Sequence, residues 1–152
     1  MTRHLVLLAG LAGLLALQAC EAIQPEHAPP GQVREISWSD GDSGHIDGER
    51  FRLADIDAPE TGTVGSRSGA RCELERQRGR EAKAWMVSLT RSAVVTITGD
   101  HGADRYGRRV LRLSVDGEDL ARTGITAGYL QAWPHRNGRA QTPKPDWCGD
   151  AR

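Results

Sequence analysis

Arg50-Phe51-Arg52-Leu53-Ala54-Asp55-Ile56-Asp57-Ala58-Pro59-Glu60 is the stretch on which the reading of the fold turns. Its first residues alternate between charged and apolar side chains, the period-two pattern of a strand with one face in a core. Pro59 closes the stretch, because proline cannot donate to a sheet ladder. Residues 50–56 are therefore predicted to form the longest strand of a first meander. Upstream, 33–38 alternates enough for a first strand, 45–47 makes a short second one, and Asp47-Gly48 supplies a hairpin turn. One feature constrains any site built here: Arg52 and Asp57 have opposite parity on a flat strand. Both can face one pocket only if the chain bends or bulges before Asp57.

Downstream, residues 62–69 are a glycine-, serine- and threonine-rich loop. No proline interrupts 70–90, where Ala82, Trp85, Met86 and Leu89 recur at helical spacing and predict an amphipathic helix. Glu73, Glu75, Arg76, Arg78, Arg80 and Glu81 in its first half read as a solvated face. Strands are expected at 93–98 and 110–115 around a polar loop at 99–107, then a turn at Asp116-Gly117 and a short helix at 119–127. No regular structure is expected from Pro134 onward. The order predicts a mainly β chain with helices, of the α+β class. Its five strands would make a partly open barrel, with a long helix after strand 3 and a short helix after strand 5.

At the N-terminus, Arg3 and His4 precede an apolar run at 5–17 and then Gln18, Ala19 and Cys20. This is the pattern of an export signal, with 1–19 removed. The run of about 13 residues is shorter than the roughly 20 that span a bilayer. Leu17-Gln18-Ala19-Cys20 resembles the lipobox of bacterial lipoproteins, which would make Cys20 an acylated first residue. A plain soluble signal peptide is the rival reading, and an apolar helix retained in the fold is a third. The expected product is an exported protein: an outer-membrane or periplasmic lipoprotein, or a soluble periplasmic or secreted one. Residues 20–32 read as a tether, 33–133 as one domain and 134–152 as a C-terminal extension.

The 152-residue chain carries 20 basic and 20 acidic side chains, and loss of 1–19 removes Arg3 and no acid. So balanced a chain argues against a passive DNA-coating protein, which works through a large positive excess. With Cys20 set aside, Cys72 and Cys148 are left as a pair in an oxidising compartment, which predicts a disulfide tying the extension back to the long helix. Two separate buried thiols are the rival, and the distant spacing without companion ligands argues against zinc.

Asp42, Asp57 and Glu60 are separated by one hairpin and fall at strand ends, where loops can gather carboxylates around a hard divalent cation. An EF-hand starting at Asp40 fails, because His45 stands at the obligatory glycine and Phe51 at the final glutamate. Arg52 and Arg108 add guanidinium forks suited to a phosphodiester and its developing charge.

Asp40-Gly41-Asp42-Ser43, then residues 51–60, then Asp104-Arg105-Tyr106-Gly107-Arg108 resemble, in order and interval, the three signature blocks of the staphylococcal nuclease family. The resemblance runs from about residue 33 to 133 and implies an OB-like barrel carrying a calcium-dependent phosphodiesterase. It implies that Asp42 and Asp57 bind Ca2+ through carboxylates and Ala58 through its carbonyl. Threonine is the family's usual residue at both Ala58 and Ser43; a carbonyl survives the first change and a hydroxyl the second. Glu60 is implied as general base, and Arg52 and Arg108 as the grip on the phosphate. Arg105 and Tyr106 are implied to bind a terminal phosphate or the sugar edge. The reaction implied is in-line attack of water with the 5′-oxygen leaving, giving 3′-phosphate ends, from single-stranded DNA and RNA by preference.

Trp133 and Tyr129 fall near the family's nucleobase aromatics, and Trp133 reads equally as base contact or packing. Trp38, Trp85 and Trp147 read as packing residues, and His45 and His101 as loop histidines. The rival functions are a nucleic-acid-binding module that has lost catalysis and a structural envelope lipoprotein. No protein partner is implied, and a monomer is expected.

Overall fold

The computed structural model describes residues 31–149. The export signal, Cys20 and all of the tether before residue 31 lie outside the described residues. The elements run β1 (Ile36–Trp38), β2 (Ser43–Ile46), β3 (Glu49–Leu53), β4 (Ile56–Asp57), α1 (Glu73–Thr90), β5 (Val95–Ala103), β6 (Arg109–Val115), β7 (Glu118–Asp119), α2 (Leu120–Thr126), β8 (Gln131–Ala132), β9 (His135–Arg136) and β10 (Arg139–Ala140). Among the described residues, no helix is long and apolar enough to cross a membrane.

The mixed α+β class holds, but the barrel does not. The main sheet runs β1-β2-β3-β6-β5, with β7 beside β6, and its path is open at β1 and β5. β1 has only three residues, and among the described residues the chain just before it meets β5 at one isolated bridge, Gln32↔Thr96. β5 is further broken by two register shifts, at Ile97/Gly99 and Asp100/Ala103. The expected places of the helices are corrected as well. α1 follows β4 and α2 follows β7, rather than strands 3 and 5. The count shifts by one because the strand predicted at 50–56 is two strands, broken where Asp55 adopts φ 59°, and by one more before α2 because Glu118–Asp119 forms β7. β3 stays in the main sheet, while Ile56 and Asp57 pair with Ala132 and Gln131 of β8. This break reverses the side-chain parity, so Arg52 and Asp57 meet on one side.

Asp-Gly and Asn-Gly pairs with both residues at positive φ make three hairpin turns: Asp47-Gly48, Asp116-Gly117 and Asn137-Gly138. The last joins β9 to β10, so the segment expected to lack regular structure carries a small hairpin. Alternation puts Phe51, Leu53, Leu111 and Leu113 into the core with Trp38, Ile46 and Met86. The Trp38 indole donates to Thr90 Oγ at 3.1 Å, pinning the end of α1 to β1.

α1 meets the sheet through a face of small residues. An added Cβ at Gly41 would lie 2.9 Å from the Cβ atoms of both Ala58 and Ala82, and one at Gly79 would lie 2.5 Å from the Glu60 carbonyl oxygen and 2.8 Å from that of Pro59. The helix thus rests directly on the backbone of the 58–60 segment and sets its position. The Gly79→Ala variant is expected to lose about 1–3 kcal/mol of stability in urea unfolding, because backbone must move to admit the methyl. Helix propensity alone predicts a gain of roughly 1 kcal/mol, so an unchanged or raised midpoint would contradict this packing.

Candidate functional site

Asp42 ends the β1–β2 turn, where its carbonyl accepts from Leu53 N at 2.8 Å. Arg52 stands opposite Ser43 in the β2–β3 register, beside the same turn. Its Nη2 lies 3.5 Å from Asp42 Oδ2 and 3.8 Å from Asp57 Oδ1, and donates to the Ile56 carbonyl at 3.3 Å. One guanidinium nitrogen therefore bridges the two carboxylates. Ala58 is buried next to Asp57, and Glu60 follows Pro59 at the surface of α1. Asp40 ties the turn to the chain beyond Glu60: it accepts from Thr61 N and Oγ, and from Ser43 Oγ at 3.5 Å.

Two residues that the sequence reading had left among tail and packing positions enter this group. Lys144 Nζ donates to Glu60 Oε1 at 2.9 Å and lies 3.5 Å from Asp57 Oδ1. The Trp147 indole donates to Asp57 Oδ2 at 2.9 Å. They arrive because Cys148 is disulfide-bonded to Cys72, the N-cap of α1. Arg78 Nη1 also donates to the carbonyls of Trp147 and Gly149 at 2.7 and 2.8 Å. The first half of α1 is thus a docking face for the C-terminal segment as well as a solvated surface, and Glu75 on it is buried. The two cysteines left once Cys20 is set aside were the sequence signal for this proximity; nothing in the sequence assigned Lys144 or Trp147 a carboxylate.

The electrostatics follow from this crowding. Burial pushes Asp42 up from 3.8 to about 7; Arg52 opposes that, while Asp57, Glu60 and Asp40 add to it. Burial also raises Asp57, against the pull of Trp147, Lys144 and Arg52. Burial works to lower Lys144, but the Glu60 bond and the charges of Asp57, Glu60 and Asp42 hold it above its ordinary value. Carboxylates so placed favour a further cation. The donors that meet at Arg52 are the carboxylates of Asp42 and Asp57, hard oxygens of the kind a divalent cation such as calcium takes. Among the described residues, no group of three or more His, Cys, Asp or Glu side chains that could hold a metal ion is found.

Arg52 also borders a cavity of about 890 Å³ lined by Arg105, Tyr106, Arg108, Trp133 and His135. Its guanidinium lies 5.1 Å over the Trp133 ring. Arg108 and Arg105 lie 5.4 and 4.8 Å over the Tyr106 ring. Asp104 builds this wall: its Oδ1 accepts from Tyr106 N at 2.8 Å and Arg108 N at 3.0 Å, and its Oδ2 lies 2.7 Å from Arg108 Nη2. Asp55 latches the facing wall, accepting from Trp133 N through its carbonyl at 2.8 Å and from His135 N through Oδ1 at 2.9 Å. Arg52, Arg105, Tyr106, Arg108 and Trp133 thus line one cavity; Asp42 and Asp57 connect to it through Arg52, and Glu60 joins Asp57 through Lys144, while none of Asp42, Asp57, Ala58 and Glu60 is among the cavity's lining residues. Tyr129 instead stacks on Trp85 at 5.0 Å, away from that cavity.

A family model described as staphylococcal nuclease homologue matches residues 50–146, a span that includes both Arg52 and Lys144. No curated protein matches the chain.

Burial raises the Asp104 carboxyl, but its bonds from Arg108 and Tyr106 outweigh that and leave it below its ordinary 3.8. A depressed carboxyl contributes stability above its unfolded pKa and loses it as pH falls through the folded one. Denaturant midpoints are therefore expected to separate wild type from Asp104→Asn fully above about pH 5. The gap closes on acidification below the ordinary range; one that widens there would contradict the assigned contacts.

Proposed function

The chain belongs to the staphylococcal nuclease family, and on that premise we propose that it is a calcium-dependent phosphodiesterase cleaving DNA and RNA. At the family level it is a nuclease-type enzyme that binds nucleic acid. The observation that carries the finer reading is Arg52. It joins the carboxylates of Asp42 and Asp57 within 4 Å and opens at the same time onto the cavity that Arg108 lines.

Calcium, when held by Asp42, Asp57 and the Ala58 carbonyl, supplies Lewis-acid polarisation of the phosphate. Glu60, half-exposed beside this group, takes the proton of the attacking water. Arg52 and Arg108 hold the phosphate oxygens and neutralise the charge that grows on them as the 5′-oxygen departs, leaving a 3′-phosphate. Both guanidiniums are already oriented, Arg52 by the Ile56 carbonyl and Arg108 by Asp104, so little reorganisation accompanies the reaction. Arg105 and Tyr106 take a terminal phosphate or the sugar edge, their side chains joined by a 2.7 Å bond. Trp133 offers a stacking face, which any base can use once unpaired, and this favours single strands. The Cys72–Cys148 disulfide supports an exported setting, and Cys20 then serves as the lipid anchor of an envelope protein.

Purified chain is expected to degrade denatured DNA with calcium and to stop in chelator, while Arg108→Ala lowers kcat by about a hundredfold or more. No cleavage by the folded, disulfide-bonded chain with any divalent cation would overturn the enzyme reading and leave a nucleic-acid-binding module in its place.

A further inference from the structure

Trp147 is 4% exposed, and its indole nitrogen bonds the most buried acid of the carboxylate group. We propose that Trp147 is a positioning residue for the cation ligand Asp57, and that the disulfide-fastened segment 144–148 is a wall of the site. This rests on the reading of Asp42 and Asp57 as calcium ligands.

The geometry divides the two oxygens of Asp57. Oδ2 is taken by the indole N–H at 2.9 Å. Oδ1 faces the opposite way, toward Arg52 at 3.8 Å and Lys144 at 3.5 Å, on the side where Asp42 also meets Arg52. A single hydrogen bond to one oxygen of a carboxylate fixes the plane of the other, and partners of this kind tune how well a ligand holds its metal. Rotation of Asp57 about its own side-chain bonds is thereby restricted before any cation arrives.

Trp147 can do this only if its own backbone is held, and it is held from several directions. Cys148 is bonded covalently to Cys72. Arg78 binds the Trp147 carbonyl at 2.7 Å, and Arg71 binds the Pro145 carbonyl at 3.2 Å and Asp146 at 3.0 Å. Arg71 stands just before the N-cap of α1 and Arg78 in its second turn, on the helix against whose Gly79 the Pro59 and Glu60 carbonyls rest. The same helix therefore fixes the ligand loop from below and the indole from the side. A segment anchored by a covalent bond and three hydrogen bonds is built to stay, which distinguishes a wall from a gate.

The test is calcium affinity by calorimetry on the full chain with its disulfide intact, for wild type and Trp147→Phe. Phenylalanine keeps an aromatic body and deletes the N–H. The expected result is a Kd weakened roughly tenfold, with kcat on denatured DNA restored at saturating calcium, since the residue acts through the ligand alone. Because calcium binding also offsets general loosening of the fold, Kd is compared under conditions where urea unfolding shows the variant to be fully folded. The Cys72→Ser/Cys148→Ser chain, in which the segment is released, is expected to shift Kd in the same direction. Unchanged calcium affinity in Trp147→Phe, in a wild-type background that does bind and cleave, overturns this proposal and leaves the nuclease reading standing. A wild-type chain that binds no divalent cation overturns both.

Discussion

Asp57 keeps 2% of its surface exposed, and a carboxylate so far from water must find compensation within hydrogen-bond reach. Much of the molecule is organised around that requirement. Arg52 comes from the neighbouring strand, the Trp147 indole from the far end of the described chain, and the Lys144 ammonium from between them. Removing one of these partners would leave a charge stranded in a poorly polarisable setting. The break at Asp55 matters for the same reason: without it, residues 52 and 57 would face opposite sides of a strand.

Three carboxylates, Asp42, Asp57 and Glu60, surround two cationic side chains, Arg52 and Lys144. Burial above all keeps Asp42 raised, and the charges of Asp57, Glu60 and Asp40 add to it against Arg52. An additional divalent cation would relieve what the two side chains cannot. Lys144 is partly exposed, whereas Trp147 is enclosed; on the proposed reading a cation at these carboxylates would compete with Lys144 and leave Trp147 in place.

Local chemistry made part of this legible. Asp-Gly turns, the helix stripe at Ala82, Met86 and Leu89, and the alternation through Phe51 and Leu53 are read from short windows because neighbouring residues decide them. The parity of Arg52 and Asp57 even indicated where the chain had to bend. The open sheet was not legible, since whether β1 reaches β5 depends on ladder lengths and register shifts that periodicity does not encode. Asn137-Gly138 carried the same turn signal as Asp47-Gly48 but lacked flanking apolar alternation, so its hairpin passed as irregular chain. Arg52, Asp42, Asp57 and Glu60 stood out as residue types at meaningful spacing. Lys144 and Trp147 did not: each is separated from its carboxylate by more than 80 residues, and only the packing of the tail against α1 brings them there.

On the proposed reading, Asp42, Asp57 and the Ala58 carbonyl form one cation site whose geometry the tail maintains. A crystal structure of the chain grown with calcium tests it most directly. The account predicts a single ion contacting those three groups, with Trp147 still donating to Asp57 Oδ2 and Lys144 displaced from Oδ1. An ion bound elsewhere, or none beside these carboxylates at saturating calcium, would contradict it.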